Sequence, residues 1–260
     1  MNSQLVLSLA KEKEWGKLAE MGYPAVSTLM DILYESEILR TKFTQEDIKF
    51  VKEALVQIGK PHINEIINIF SSIPDEEWGV LVNIADVLGE IGDTRAVEPL
   101  INSLEENGSK ASINYALAKL GDERAIEPLI KSMKKGSWCS VHALGMMKSQ
   151  EAVESLIDAL TSEDSYIRIA AAKSLGMIGD KRAVKPLIKL LRNDREMWAC
   201  ANAAWALGEI GDPDAIHSIK KALADKNFTY TDDDYHYHDE NPAIDAYKEA
   251  LKKLSPSDAL

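Results

Sequence analysis

One phrase recurs along this chain and decides what it can fold into. "IGDTRAVEPLINSL" (Ile91–Leu104) returns as "LGDERAIEPLIKSM" from Leu120, as "IGDKRAVKPLIKLL" from Ile178 and, with drift, as "IGDPDAIHSIKKAL" from Ile210. Shorter forms stand at "MGYPAVSTLMDIL" from Met21 and "IGKPHINEIINIF" from Ile58. A degenerate copy, "MKSQEAVESLIDAL", puts Lys148 where the others have glycine. The glycines fall at 22, 59, 92, 121, 179 and 211. With Lys148 counted in, the steps lie near 30 residues, and such a period with helical patterning means stacked helix pairs.

Each copy makes physical sense as the joint between two helices. A first helix, A, ends in a small-residue phrase such as "AAAKSLGMIGD" (Ala170–Asp180). The glycine suits the left-handed position that closes helix A. The aspartate after it (Asp93, Asp122, Asp180, Asp212) suits the N-cap of a second helix, B. In B, Val97, Leu100, Ile101 and Leu104 fall at i, i+3, i+4 and i+7, one apolar face. Pro24, Pro61 and Pro213 fit the first helical position, whereas Pro99, Pro128 and Pro186 sit deeper and predict a late start or a distorted first turn. The alanines of helix A (Ala170–Ala172; Ala201, Ala203, Ala204) allow close helix approach.

The expected fold is all-α: a right-handed superhelix of about seven helix pairs. Full repeats run over about residues 12–224, an acidic Tyr/His insertion over 225–241, and a capping helix over 242–260. The last helix follows from aligning "AIDAYKEALKKLSPSDAL" with "ACANAAWALGEIGDPDAI", and an open stack needs such an end cap.

The phrase "IRIAAAKSLGMIGDKRAVKPLIKLL" (Ile167–Leu191) resembles the HEAT-repeat family, specifically the short HEAT-like repeats of the phycobilisome-lyase type. The resemblance covers most of the chain. Only Arg168 fills the arginine place of helix A; Leu81, Lys110 and Cys200 stand there in other units, so no ladder of such arginines is expected. The resemblance implies protein–protein binding as the usual work, with helix B lining the binding face. Enzymes of this architecture include deoxyhypusine hydroxylases, which hold iron through His-Glu pairs, but His62, His142 and His217 are followed here by Ile, Ala and Ser. Bilin lyases share the repeats, but no residue of this chain by itself points to a bilin.

The bulk properties narrow the partners. The formal net charge is −12, with 12 basic and 22 acidic residues in 1–130, against 18 and 20 in 131–260. That argues against nucleic acid or an anionic membrane as partner. Cys139 and Cys200 stand far apart in apolar contexts and read as partly buried thiols in a reducing, cytoplasmic setting, not as a disulfide. No apolar run approaches the roughly 18 residues of a membrane span. There is no phosphate-cradling loop and no nucleophile elbow.

The leading expectation is therefore a non-enzymatic scaffold that grips a protein partner or an acidic segment on its B-helix face. Periodicity puts Arg95, Glu98 and Asn102; Arg124, Glu127 and Lys131; Arg182, Lys185 and Lys189; and His217 and Lys220 there. Lys181, Arg182, Lys185, Lys189, Arg192 and Arg195 form a basic stretch against the acidic background. Two alternatives stand beside it. One is a divalent-metal or ligand site in "TDDDYHYHDE", with Asp234, His236, His238 and Asp239 as ligands; no other cofactor is expected. The other is a bilin lyase or its chaperone subunit. Trp78, Trp138 and Trp198, near the starts of A helices, read either as lids over the gaps between repeats or as partner anchors.

Overall fold

The computed structural model describes residues 2–39, 43–107, 111–224 and 242–255. Among them every regular element is helical. In chain order the α-helices are α1 (Ser3–Lys11), α2 (Trp15–Met21), α3 (Tyr23–Leu39), α4 (Gln45–Ile58), α5 (Ile63–Ser72), α6 (Trp78–Ile91), α7 (Val97–Asn107) and α8 (Ala111–Leu120), then α9 (Ile126–Lys134), α10 (Trp138–Met146), α11 (Val153–Ala159), α12 (Ser165–Ile178), α13 (Val184–Asn193), α14 (Met197–Ile210), α15 (Ile216–Ala224) and α16 (Pro242–Leu254). The chain is an all-α solenoid of helix pairs, divided into two compact units, Met1–Pro128 and Leu129–Leu260. In the first, the A helices α4, α6 and α8 pack in succession, with α5 and α7 as their B partners. In the second, α10, α12, α14 and α16 stack as A helices beside α11, α13 and α15. The A helices α8 and α10 are the short ones, with 10 and 9 residues against 14 in α6, α12 and α14.

The joints follow the chemistry of the phrase. Gly92, Gly121, Gly179 and Gly211 take positive φ at the ends of their A helices, where a side chain is strained. Lys148 holds the same conformation at φ 51°. Gly59 departs from the pattern: its φ is −77° and its need is space, because a Cβ there would meet the Leu55 carbonyl oxygen at 2.4 Å. Each phrase aspartate accepts a backbone N–H two residues on, as an N-cap should. What it caps is a short 3₁₀ turn (Thr94–Ala96, Glu123–Ala125, Lys181–Ala183, Pro213–Ala215), and the α-helix begins after it. Pro99, Pro128 and Pro186 are thus third residues of B helices, among N–H groups that lack an intrahelical acceptor anyway. The predicted stripe of α7 is buried at Val97, Leu100, Ile101 and Leu104, each worth about 1.5–3 kcal/mol.

The A helices abut through their small residues. A Cβ on Gly89 would meet the Ala116 Cα at 2.8 Å, one on Gly145 the Ser174 Cα at 2.7 Å, one on Gly176 the Ala206 Cα at 2.7 Å, and one on Gly208 the Ala250 Cα at 2.9 Å. Backbone therefore rests on side-chain-free backbone at the same register along the stack. Glu90 with Lys119 and Glu209 with Lys253 pair across neighbouring A helices at matching positions.

The B side is tied by a different device, an Asp-x-Arg clasp. Asp93, Asp122 and Asp180 each take the guanidinium two residues on in a two-pronged pair, with oxygen–nitrogen distances of 2.8–3.0 Å. The third nitrogen of each guanidinium then donates to the preceding B helix: Arg95 to Asn64 Oδ1 at 3.1 Å, Arg124 to Glu98 Oε1 at 3.4 Å and Arg182 to Glu154 Oε1 at 2.8 Å. The recurrent arginines of this chain thus stand in the 3₁₀ turns that lead into B helices, not in helix A. The hydrogen bonds from the arginines hold all three carboxyls below the usual carboxylate range, Asp93 at about 2. A depressed folded pKa means that the unfolded chain takes up the proton first as pH falls. The clasps' contribution is thus complete above the ordinary range near 3.8 and is lost as pH drops toward about 2. In acid titrations followed by circular dichroism, a triple Arg95→Gln/Arg124→Gln/Arg182→Gln variant is expected to be less stable than wild type at neutral pH. The gap is expected to close by the bottom of that window.

Candidate functional site

The second unit carries a groove of about 710 Å³ between α11 and α13, closed at one end by the connector from α13 to α14. Ile157, Leu160, Pro186 and Leu190 give it an apolar floor. Lys185 and Lys189 stand on its rim one helical turn apart, joined by Arg195 from the connector. All three are exposed, and none has an ion-pair partner among the described residues. Asp158 is the one exposed acid of the lining.

The other acid, Asp194, is already neutralised. Its carboxylate receives Arg168 Nε at 2.6 Å and Nη2 at 3.0 Å, and also the Glu196 N–H at 2.9 Å. Arg168 Nη1 donates to the carbonyls of Ser162 and Glu163 at 2.9 and 3.1 Å, pinning the guanidinium from behind. The pair is largely desolvated, with side chains 18% (Arg168) and 5% (Asp194) exposed. Burial opposes ionisation of Asp194, but the Arg168 guanidinium and the Glu196 N–H outweigh it and hold the carboxyl below its ordinary range. Behind the pair, the Cys200 thiol donates to the Asp194 carbonyl at 3.5 Å. Burial pushes Cys200 up to about 12, so this thiol is packing, not a nucleophile. The groove is thus an apolar trough with a fixed ion pair at one end and free positive charge along its rim.

The sequence-predicted residues are distributed unevenly around it. Lys185 and Lys189 come together on the groove; Arg182, one turn earlier, is held in its clasp with Asp180 and Glu154. In the first unit Arg95 and Arg124 are held in the same way, and Glu98 is the acceptor of Arg124. Asn102, Glu127, Lys131, His217 and Lys220 lie exposed on their B helices. Asp234, His236, His238 and Asp239 lie outside the described residues; within those described, no group of three or more His, Cys, Asp or Glu could hold a metal ion. Periodicity missed the Arg168–Asp194 pair and Arg195, because all three depend on how the connector folds back on α12. The signal was present: Arg168 is the one arginine at its repeat position, and Arg195 belongs to the basic stretch.

A second groove, of about 600 Å³, lies in the first unit among α4, α6 and the turn before α2. Its charges largely cancel: Lys52 pairs with Asp86 at 2.6 Å and Lys13 with Glu53 at 3.5 Å. The groove of the second unit is the stronger candidate because its cations are free.

Fold and groove together define a solenoid of short helix pairs with an open trough in its second unit. The chain is a HEAT-repeat protein of the PBS lyase HEAT-like type: a family model for HEAT repeats matches residues 137–200, and one for the PBS lyase HEAT-like repeat matches 80–106, 115–135 and 199–225. It is similar to the "Bilin biosynthesis protein PecE" of Mastigocladus laminosus, 46% identical over 57 residues, which are 22% of this chain and 21% of that protein. It is also similar to the "Phycocyanobilin lyase subunit alpha" of a Picosynechococcus strain, 47% identical over 49 residues, 19% of this chain and 18% of that one. The matched segments thus span about a fifth of these relatives. Among solved structures, an engineered protein aligns with 98% of this chain and 68% of its own, at TM-score 0.52 and 21% identity, a likeness of fold alone. The expectation of a non-enzymatic protein is corrected by these relatives, whose names place them in bilin biosynthesis and bilin lyase assemblies. No helix among the described residues is long and apolar enough to cross a membrane.

Proposed function

We propose that this chain works as a lyase-type subunit that holds a bilin in the groove of its second unit while a partner protein completes the reaction site. The observation that carries the reading is the 46–47% identity, over 49–57 residues, to proteins named for bilin biosynthesis and as a phycocyanobilin lyase subunit. The groove supports it chemically. A bilin is a flat, largely apolar chain of rings with two propionate carboxylates. An apolar floor suits the rings, and Lys185, Lys189 and Arg195 suit the carboxylates. The chain offers no activated nucleophile of its own there, since Cys200 is buried and neutral. Its part in the reaction is therefore to bind and orient the bilin. The relatives' designation as subunits fits a protein partner.

Titration with phycocyanobilin, followed by its visible absorbance, tests the reading. Binding is expected, and a Lys185→Glu/Lys189→Glu/Arg195→Glu variant is expected to bind at least about tenfold more weakly, a loss of about 1.4 kcal/mol. Its helical circular dichroism should be unchanged, because none of the three groups is paired in the described fold. Absence of binding by the wild-type chain, or equal binding by the variant, would refute the assignment.

A further inference from the structure

The connector that closes the groove of the second unit is only Asp194, Arg195 and Glu196. Arg195 lines the groove and is exposed. The peptides on both sides of it are held by one carboxylate: the Arg195 and Glu196 N–H groups donate to Asp194. That carboxylate is gripped in turn by Arg168, with Nε on one oxygen at 2.6 Å and Nη2 on the other at 3.0 Å. Nη1 of Arg168 donates to the carbonyls of Ser162 and Glu163, so four of its five N–H groups are taken. Arg168 thus holds the connector and has little left to offer a ligand. Elsewhere an aspartate captures the nearest arginine, as Asp93 does Arg95, Asp122 Arg124 and Asp180 Arg182. Asp194 leaves its neighbour Arg195 free, because Arg168 fills both of its oxygens.

We infer that Arg168 is a positioning residue of this groove: by gripping Asp194 it holds the connector so that Arg195 meets the anionic group of a ligand at the closed end. The inference rests on the reading of the groove as a site for an apolar anion, and it names the residue that sets the geometry of its end. A guanidinium takes an oxyanion through two parallel N–H bonds, so its contribution depends on where the fork points. Lys185 and Lys189 are point charges on flexible stems and depend on this far less. Fixing the backbone on both sides of Arg195 lowers the ordering cost of the contact before any ligand arrives. The device belongs to this groove: Leu81, Lys110 and Cys200 stand at the place of Arg168 in other units.

The test titrates the full chain with anilinonaphthalene sulfonate, a fluorescent apolar anion. It therefore fails separately from the bilin reading: a groove that takes the dye but not phycocyanobilin refutes only the latter. Wild type is expected to bind the dye saturably. Arg168→Lys keeps a charge beside Asp194 but loses the fork, and is expected to bind about fivefold more weakly. In an Arg195→Gln background the same substitution is expected to change affinity by less than about twofold. A merely structural role would weaken binding alike in both backgrounds. Without ligand, the Arg195 and Glu196 amides should exchange hydrogen at least about tenfold faster in Arg168→Lys, while amides within α12 and α14 keep their wild-type rates. Asp194→Asn breaks the same grip from the other side and is expected to show the same dependence on Arg195. The inference is overturned if the dye does not bind, if Arg168→Lys binds it as tightly as wild type, if the loss persists without Arg195, or if the two amides exchange at the wild-type rate.

Discussion

Replacing Gly176 with valine is expected to destabilise the protein by about 3 kcal/mol, at the upper end of what overpacking a well-packed contact costs. A Cβ on Gly176 falls 2.7 Å from the Ala206 Cα, 2.7 Å from Trp205 Cζ3 and 2.8 Å from the Ala206 Cβ. The tryptophan ring can swing aside, but the backbone of α14 cannot without carrying α14 off α12. Gly179, three residues on, is the contrast. It sits at φ +77° with open space where a Cβ would go, so Gly179→Ala brings backbone strain alone, about 1–2 kcal/mol. Urea unfolding of the two variants separates close approach from conformation. If Gly176→Val unfolds at the wild-type midpoint, the A helices are not in backbone contact.

Removing Arg168 is the second large effect. Arg168→Ala leaves the Asp194 carboxylate 5% exposed with only the backbone N–H groups of Arg195 and Glu196 for company, and breaking a buried pair from one side costs about 3–5 kcal/mol. The partial exposure of Arg168, 18%, places the expectation at about 3 kcal/mol. Removing both charges, as in Arg168→Met/Asp194→Ala, should recover part of that loss. The penalty should also be pH-dependent. In the wild type, Asp194 is held below its ordinary range, so its favourable term is present at neutral pH and fades as acid protonates it. In Arg168→Ala the stranded carboxylate gains its proton at higher pH, so the two proteins converge in stability toward acid. Denaturant midpoints measured at neutral pH and again below pH 4 would show this narrowing. A penalty equal at both would mean that Arg168 acts through packing and not through charge.

The fold was legible because local and global signals agree at each joint. A left-handed glycine, a capping aspartate and an apolar stripe at i, i+3, i+4 and i+7 stand together in one phrase, and the phrase recurs. Gly59 shows the limit: it has the right place in the phrase but serves close packing, which depends on Ile66 and Ile91 from other helices. The site was half legible. Helical periodicity put Lys185 and Lys189 on a common exposed face, where they are. It put Arg95, Arg124 and Arg182 there too, and missed their capture by aspartates two residues earlier, because the 3₁₀ turn folds each guanidinium back onto its own cap. Arg168 and Asp194 are 26 residues apart and belong to no repeat-wide pattern, so pairing them required the three-dimensional stack. The relation to bilin lyases came from sequence identity over a short stretch. The fold phrase is shared by binders and enzymes alike, and no catalytic side chain marks the difference.

The contact of Gly208 with Ala250 has a bearing on how such chains diversify. It repeats the spacing of Gly176 with Ala206, although 42 residues separate its partners against 30 in the other pair. The stack reads only the small residues that meet, not the length of chain between them. Connectors can therefore lengthen, shorten or change composition from one descendant to the next while the column of A helices stays in alignment. Novelty in this architecture is free to accumulate where a B helix hands on to the next A helix, beside a core that does not record it.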